Sequence, residues 1–403
     1  MSASQINTPP PEPMSVRTGL IWLMFSFSSL VFIEPAPFDG LLILIGVSFF
    51  LSGLRVAPFL STPFFFLSGY MVANIIATLF APDPIACVKH MAVTFLLIFS
   101  WIFYASVIYD RPAHMYKIIF QGYITAAVIA VLLGLIGFLK VTPYYESFLL
   151  YGRVKGPFKD PNVFAPFLIP VVMYLIYQLE NTKEKLKFYS KMMLLLFVAM
   201  GILMSFSRGA LINLGLSCVL YAYFRFSTAK SKADTAGLVK IISMIVMAIA
   251  GIAIWAVITI DDVAQMFTVR AQLVQDYDQG SDGRFDAILN AVLVSIAHPL
   301  GIGPGQSSVV LALDPHNLLV HIMVETGFLG VISFVCFLIV TLMESYKLCK
   351  QSSEIQNICI IIFVCLVATL FESIIIHSTH WRHLYLLFGL LWGSIVAKKS
   401  NII

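Results

Sequence analysis

Charged residues are scarce in this chain. Only 11% of its 403 residues are Asp, Glu, Lys or Arg, against about a quarter in an ordinary soluble domain. This shortage excludes a soluble enzyme. The formal net charge is only +4, and the basic residues lie in short separate loops. The sequence therefore gives no sign of a nucleic-acid surface either.

Paired cysteines are missing as well. The six cysteines form no CxxC motif and no Cys/His pair, so we interpret them as packing residues and not as disulfides or metal ligands. The first 18 residues contain a proline-rich run but no basic start and no cleavage site. They predict a polar, disordered cytoplasmic tail and no signal peptide.

Long apolar stretches make up most of the chain, and 59% of its residues are hydrophobic. A helix needs about 20 apolar residues to cross a bilayer, and blocks of roughly this length recur between charged residues, prolines and glycines. Twelve blocks qualify: 19–34, 39–54, 63–81, 90–109, 115–139, 161–179, 189–206, 209–226, 239–260, 316–343, 355–376 and 381–397. The sequence therefore predicts an all-α polytopic membrane protein with about 12 transmembrane helices.

The basic residues orient this arrangement. Lys and Arg favour cytoplasmic loops, and twelve spans with the N-terminus inside place sixteen of the 25 Lys and Arg residues in the cytoplasm. Both termini are then cytoplasmic. The predicted segments are a tail at 1–18, nine helices over 19–260, an outer loop at 261–315, three helices over 316–397 and a tail at 398–403. Because the long polar loops face outward, we expect function on the outer face.

Basic residues on the outer face are the unusual ones. The first group is Arg153, Lys155 and Lys159, which precede the sixth predicted helix. Asp160 is predicted to be the N-cap of that helix and Pro161 its first residue. Such a group suits an anionic substrate. The alternative is an anchor for anionic lipid head groups.

A single arginine interrupts the apolar stretch from about residue 192 to 222, in the sequence Ser207-Arg208-Gly209. The stretch is too long for one span and predicts two antiparallel helices with Arg208 at a tight outer turn. An unpaired arginine at membrane depth costs about 3 kcal/mol on insertion scales. Because Ser or Asn would turn the chain equally well, we favour a functional role for Arg208.

The outer loop at 261–315 contains an amphipathic segment. Apolar residues from Phe285 to Ile296 recur at helical spacing, which predicts a helix that lies on the membrane and ends near His298. Arg284 would occupy its first turn. There it either is solvated or adds its charge to the positive helix end.

Two metal sites are conceivable, but both are weak. Asp276 and Asp278 have the DxD spacing with which many transferases hold a divalent ion, although acidic outer loops are often only solvated. His377, His380 and His383 recur at every third residue. We favour an interfacial cluster over a zinc site for these histidines.

The tenth predicted span opens with Asp314 and Pro315, which are expected to be its N-cap and first residue. His316 and Asn317 would then lie in the first turn. The positive helix end disfavours protonation of an imidazole, so His316 is expected to be neutral and able to accept a proton. The alternative is a histidine that only forms an interfacial hydrogen bond. Glu325, deeper in the same span, is expected to pair with an arginine or to be protonated.

Together these residues predict a pocket for an anionic group with a base beside it. The planar guanidinium of arginine donates two hydrogen bonds to neighbouring oxygens and therefore suits a diphosphate. A polyprenyl-linked sugar carries such a group outside a membrane, and its diphosphate is a good leaving group. We expect Arg153, Arg208 and Arg284 to hold the diphosphate while His316 takes the proton of an acceptor alcohol. Direct displacement with inversion then requires no metal.

The order of these motifs resembles the O-antigen ligase and polymerase superfamily over residues 150–330. The matching motifs are Arg153 with Gly156-Pro157-Phe158-Lys159-Asp160-Pro161-Asn162, Ser207-Arg208-Gly209, Arg284, His298-Pro299-Leu300-Gly301-Ile302-Gly303, His316-Asn317 and Glu325-Thr326-Gly327. The number of spans agrees over the rest of the chain.

The resemblance implies a GT-C-like membrane fold in the bacterial inner membrane, with a partly helical periplasmic loop. It implies transfer of a glycan from undecaprenyl diphosphate to lipid A-core or to another glycan, without a cofactor or metal. His316, Arg208 and Arg284 match the catalytic positions of the family. The implied substrate-binding residues are Arg153, Lys155, Lys159, Asn162, Ser207 and Asn317.

Two other functions remain open. A repeat-unit polymerase shares the donor and the chemistry of a ligase, so the motifs do not separate the two. A lipid-linked glycan flippase or exporter could also bind a diphosphate with outward arginines. Such a transporter should carry charge along a path from both faces, and the cytoplasmic halves of the predicted spans carry almost none.

Overall fold

The computed structural model describes residues 15–228, 232–271 and 283–403, apart from a few side chains within them, Arg270 and Arg284 included. The described chain is almost entirely helical. Its helices are α1 Val16–Ser26, α2 Pro37–Leu51, α3 Ser61–Thr78, α4 Pro84–Asp110, α5 Pro112–Phe138, α6 Pro161–Glu180, α7 Lys185–Met204, α8 Arg208–Thr228, α9 Lys232–Thr259, α10 Asp261–Ala271, α11 Arg284–Ala297, α12 Ser307–Val310, α13 Leu318–Lys350, α14 Gln356–Glu372 and α15 Arg382–Lys399. A short hairpin, β1 Leu149–Leu150 and β2 Arg153–Val154, lies between α5 and α6.

Within the described ranges, seven helices are long and apolar enough to cross a membrane. They are α4, α5, α6, α7, α8, α9 and α13. This number supports the predicted polytopic membrane protein. A helix also lies in each of the other five predicted regions, as α1, α2, α3, α14 and α15.

The first predicted span, 19–34, is wrong in its extent. Helix α1 has 11 residues, which at 1.5 Å per residue is about 16 Å and only half of a bilayer core. The chain leaves the helix after Ser26 and starts a new one at Pro37, where the backbone N–H of Ala36 donates to Asp39. This local capping interaction fixes the start of α2.

Helix α15 forms the centre of the bundle. All residues from His383 to Ala397 are buried, as expected for a helix that is apolar on every side. Its two glycines, Gly389 and Gly393, allow close packing against α4. A Cβ at these positions would lie 2.7 Å from the Cβ of Tyr104 and 2.6 Å from the Cβ of Ile108, so small residues bring the two backbones together.

Helix α13 is broken at Gly327, whose φ of 69° and ψ of −171° are not helical. The glycine-rich segment after α11 packs against this break. Phe328 N–H donates to the Pro299 carbonyl, and Gly303 N–H donates to the Glu325 carbonyl, both at 3.0 Å. The motifs at 298–303 and 325–327, distant in sequence, therefore form one hydrogen-bonded unit. The segment is not the free turn that its glycines suggest.

The predicted amphipathic helix is present as α11. The face that it buries consists of small residues, Ala287, Ala291 and Ser295, which pack against α13. Leu289 and Ile296 are exposed. Leu289 and Ile296 thus point away from the protein, as a helix in contact with lipid requires.

Candidate functional site

A cavity of about 530 Å³ lies at one end of the bundle. The starts of α6, α8 and α15, the end of α14 and the segment before α13 contribute to it. Its walls are Leu150, Tyr151, Arg153, Asp160, Asn162, Val163, Phe206, Ser207, Arg208, Gly209, His316, Glu372, Ile375, Ile376, His377 and Trp381. Two arginines, two histidines and two carboxyl groups therefore share a space large enough for a diphosphate and part of a sugar.

Five of the nine predicted site residues line this cavity: Arg153, Asn162, Ser207, Arg208 and His316. Lys155, Lys159 and Asn317 do not line it. The side chain of Arg284, like Asp276 and Asp278 in the predicted DxD motif, lies outside the described residues. The structure therefore brings together residues from three separate motifs, spread over more than 160 positions of sequence.

Arg153 is fixed in the wall of the cavity. It begins strand β2 and is only 7% exposed. Its Nε donates to the Ser205 carbonyl and its Nη2 donates to Oδ1 of Asn162, both at 2.8 Å. A guanidinium suits this role because its donors form a rigid fork. Arg153 thus connects the end of α7 to the start of α6.

The start of α6 has the predicted capping arrangement. The Asp160 carboxylate accepts a 2.6 Å hydrogen bond from the Asn162 backbone N–H, and Pro161 is the first helical residue. This cap aims the Asn162 side chain at Arg153. The nearby Lys159 is exposed and pairs with Glu34 at 2.7 Å, so it does not replace Arg153 in the cavity.

Arg208 is the first residue of α8, and α7 ends four residues earlier at Met204. The predicted tight turn between two helices is confirmed. Phe206 has a left-handed φ of 49°, and the Ser207 hydroxyl accepts from the Ala210 backbone N–H at 3.3 Å, which caps the new helix. Arg208 is half-buried in the cavity wall.

The predicted start of α13 is wrong by three residues. Asn317, not Asp314, is the N-cap: its Oδ1 accepts from the backbone N–H groups of Leu319 and Val320 at 3.0 Å each. Asn and Asp are equally good caps, and Asn317 also donates to the Ile374 carbonyl at 3.0 Å, a contact that fixes it at this position. Asn317 therefore holds the helix start and does not face the cavity.

His316 consequently precedes the helix. It lies one residue before the cap, half-buried, and lines the cavity. The expected influence of the positive helix end on its imidazole assumed a place in the first turn, which His316 does not have. Its position in the wall of the cavity that Arg153 and Arg208 also line still suits a proton acceptor.

Sequence reasoning missed Glu372, the last residue of α14. It is 2% exposed and accepts a 2.7 Å hydrogen bond at Oε2 from Asn213 on α8. A Cβ at Gly209 would lie 2.9 Å from its Oε1, which explains the glycine after Arg208. A carboxylate in a predicted span is unusual, and this was the signal in the sequence.

The three histidines after α14 separate in the structure. His377 lines the cavity, His380 packs on His90 with 4.1 Å between ring centroids, and His383 lies 5.0 Å from the Trp381 ring. No group of His, Cys, Asp or Glu among the described residues could hold a metal ion. The favoured interfacial cluster is also wrong, because His383 is buried and the three side chains have different surroundings.

The surroundings of His377, between α14 and α15, favour the neutral form of its imidazole. Burial, together with the nearby His321, lowers the pKa of His377 to about 4. Desolvation disfavours the charged imidazole. At neutral pH the cavity therefore contains an uncharged imidazole beside His316.

A second cavity of about 520 Å³ adjoins the first and shares Phe206 and Arg208 with it. Its other walls are Leu135, Phe138, Leu139, Met200, Leu203, Met204, Leu211, Ile252, Trp255, Ala256, Val257, Ile260, Val263 and Phe267. Apart from Arg208 it is lined by apolar residues. Arg208 thus stands where a polar cavity meets an apolar one.

The comparison with protein families agrees with this site. Residues 193–335 match the O-antigen ligase family model, a region of about a third of the chain that includes Arg208, Arg284 and His316. The match confirms the resemblance to the O-antigen ligase and polymerase superfamily and supports a multi-pass membrane enzyme of ligase or polymerase type. No curated protein matches the chain.

Proposed function

We propose that this protein transfers a glycan from a polyprenyl diphosphate, such as undecaprenyl diphosphate, to an acceptor hydroxyl. One observation supports this most directly: Arg208 lines both the polar and the apolar cavity. A lipid-linked diphosphate has a charged head between a glycan and a hydrocarbon tail. The two cavities and the arginine between them match those three parts in order.

The diphosphate binds at Arg208 and Arg153 in this proposal. Arg208 offers a fork of donors at the boundary of the two cavities, and charge-assisted hydrogen bonds to phosphate oxygens are strong. Arg153 adds a second positive charge to the cavity wall, held in place by Ser205 and Asn162. Arg284 remains a proposed third ligand on the evidence of the sequence.

The tail lies in the apolar cavity, among side chains of α5, α7, α8, α9 and α10. Burying hydrocarbon there contributes about 25 cal/mol per Å² of apolar surface. The tail continues into the bilayer, because the outer surface of α9 carries exposed apolar side chains such as Ile254 and Ile258. The distribution of Lys and Arg supports a periplasmic location for this end of the bundle, in a bacterial inner membrane.

Transfer is a direct displacement at the sugar C1. The acceptor oxygen forms a bond to C1 while the bond from C1 to the diphosphate oxygen breaks, and the configuration inverts. The leaving diphosphate carries away the electron pair, and the arginines stabilise its charge. His316 accepts the proton of the acceptor hydroxyl. The scheme uses no metal or cofactor.

The acceptor distinguishes two members of the superfamily. A ligase passes the glycan to lipid A-core, and a polymerase passes it to another repeat unit. We favour the ligase because the matching family model is that of O-antigen ligase.

The test is transfer by the purified protein in lipid nanodiscs, with a polyprenyl-diphosphate glycan as donor and lipid A-core as acceptor. His316→Ala should reduce turnover by about 10²-fold or more while donor binding persists, because a general base contributes about 10²- to 10⁴-fold. Arg208→Ala should weaken donor binding itself.

Two matched variants serve as controls. Arg55→Ala removes an exposed arginine and His114→Ala a half-buried histidine, both outside the cavity, and both should retain wild-type transfer. Elongation of a repeat unit without transfer to lipid A-core would identify a polymerase. Donor translocation without any glycosidic product, insensitive to His316→Ala, would identify a transporter and overturn the proposal.

A further inference from the structure

A chain of buried polar residues leads away from the cavity. Its members come from four parts of the fold: His90 on α4, Ser307 on α12, His321 and Glu325 on α13, and His377 before α15. His321 and Glu325 are 4% and 3% exposed. Ionisable groups buried in a membrane domain are costly, so a connected set of them calls for a function.

The first part of this chain is a stack of imidazole rings. The centroids of the His316 and His377 rings are 6.1 Å apart with 21° between their planes, and those of His377 and His321 are 4.6 Å apart with 10° between planes. His316 and His377 line the cavity, whereas His321 is buried. The stack therefore connects the proposed base to the interior.

The second part is a set of short polar contacts around Glu325. The Ser307 hydroxyl donates to Oε1 of Glu325 at 2.9 Å and lies 3.3 Å from Nε2 of His321. Nε2 of His321 is itself 3.5 Å from Oε1 of Glu325. Oε2 of the same carboxylate is 3.6 Å from Nε2 of His90.

The chain ends at a partly exposed group. The His90 side chain is 25% exposed, in contrast to the buried His321 and Glu325. Glu325 is also faced by Tyr70 of α3 and Cys87 of α4. Among the described residues it forms no ion pair with Lys or Arg, and its ionisable partners are His90 and His321. The expectation that Glu325 pairs with an arginine is therefore not met.

We propose that His377, His321, Ser307, Glu325 and His90 conduct the proton of the acceptor hydroxyl from His316 to the surface. This inference rests on the proposed function. While donor and acceptor fill the cavity, they separate His316 from bulk water, and the base must lose its proton before the next turnover. Ser307, His321, Glu325 and His90 are linked by polar contacts of 3.6 Å or less, across which protons pass directly or through one water molecule. The N–H bonds of the stacked rings lie in the ring planes, so transfer from one ring to the next passes through a water molecule at the ring edges. The proton leaves the acceptor oxygen, passes along the chain and is released at His90.

The Nδ1 atoms of His321 and His377 support this assignment. Both are buried and have no hydrogen-bond partner among the described residues. Buried polar atoms are nearly always hydrogen-bonded in a purely structural setting. These two nitrogens have no protein partner among the described residues, and each is therefore open to a bridging water molecule that can carry a proton between the rings.

The test is the dependence of kcat on buffer concentration, in the nanodisc transfer assay at constant pH and ionic strength. Glu325→Gln keeps the shape of the side chain but cannot carry the proton, and His321→Gln interrupts the stack. At low buffer we expect both variants to lower kcat by about 10²-fold or more with the donor KM unchanged, within the range that proton transfer contributes. A small imidazole buffer, which can reach His316 once the products have left the cavity, should restore the rate.

Two further variants complete the test. His383→Gln changes a buried histidine outside the chain and should behave as the wild type, without buffer dependence. Ser307→Ala removes only the bridging hydroxyl, so it tests the same path if Glu325→Gln does not fold. It should lower kcat at low buffer and recover at high buffer.

The outcomes separate the two proposals. The wild-type protein is expected to transfer glycan. If it does, but the variants of Glu325, His321 and Ser307 have an unchanged kcat, or a kcat that is low at every buffer concentration, the proton path is overturned and the proposed function stays intact. A wild-type protein that binds the lipid diphosphate but makes no glycosidic product overturns the proposed function, and the inference with it.

Discussion

The side-chain amide of Asn213 donates a 2.7 Å hydrogen bond to Oε2 of Glu372, and both residues are buried. The bond joins α8, which begins with Arg208, to the end of α14. A buried carboxyl group is costly unless hydrogen bonds compensate for lost water. Asn213 therefore stabilises the part of the cavity wall that Glu372 forms beside Gly209 and Arg208.

Replacing Asn213 tests this relationship. Asn213→Leu leaves Glu372 without this donor and should reduce the free energy of unfolding by about 1–3 kcal/mol, the cost of an unsatisfied buried group. Thermal unfolding in detergent measures the loss. The double variant Asn213→Leu with Glu372→Leu removes both polar groups and should recover part of it. Asn290→Ala, on the exposed side of α11, is the control. An unchanged unfolding temperature for Asn213→Leu would contradict the role of this bond.

Gly327 supports a second prediction, about the break in α13. Its φ of 69° is unfavourable for other residues, and a Cβ there would collide with the Pro299 carbonyl. Gly327→Ala should therefore destabilise the protein by more than about 1 kcal/mol and loosen the segment at 298–303. Gly251→Ala, on α9 with no atom near its added Cβ, should be neutral or slightly stabilising. Equal unfolding temperatures for the two variants would show that the break tolerates a side chain.

The capping residues in the sequence predicted a helix start correctly where the cap involves only neighbouring residues. Asp160 and Pro161 start α6 as expected because the cap involves neighbours in sequence. Asp314 and Pro315 carry the same signal, yet α13 starts after Asn317, which a distant carbonyl at Ile374 holds in place. Local capping preference is weak enough for a tertiary contact to override it.

Arg208 and Glu372 show the same contrast between a local sequence signal and a tertiary contact. The cost of an arginine inside an apolar stretch is visible in the sequence, and it directed attention to Arg208, which lines the cavity. The partner of Glu372 is 159 positions away, so no spacing rule identifies it. The helical regions follow from hydrophobicity, whereas their exact ends and their packing depend on contacts that only the folded chain contains.

His377 gives a prediction about pH. Its pKa in the folded protein is about 4, below the ordinary 6.5, because of burial. Between pH 6.5 and 4 the unfolded chain binds a proton here that the folded chain does not, so stability falls as the pH is lowered through this window. His377→Gln removes this contribution. Its unfolding temperature should decline less than that of the wild type from pH 6.5 to 4, with a constant difference above pH 7. Parallel curves over the whole range would contradict the assignment.

Arg153→Lys tests the geometry of the donor site. A lysine keeps the positive charge but cannot reproduce the rigid fork by which Arg153 reaches the Ser205 carbonyl and Asn162. If Arg153 positions the cavity wall in addition to supplying a positive charge, the donor KM of Arg153→Lys should rise by about tenfold. This is equivalent to the loss of one charge-assisted hydrogen bond of about 1.4 kcal/mol. Asn162→Ala removes one acceptor of the fork and should have a smaller effect in the same direction. Arg55→Lys, at an exposed position, should change nothing. A normal donor KM for Arg153→Lys would mean that the positive charge at this position suffices for donor binding. If only Asn162→Ala raised the donor KM, the contact with the donor would be assigned to the amide of Asn162.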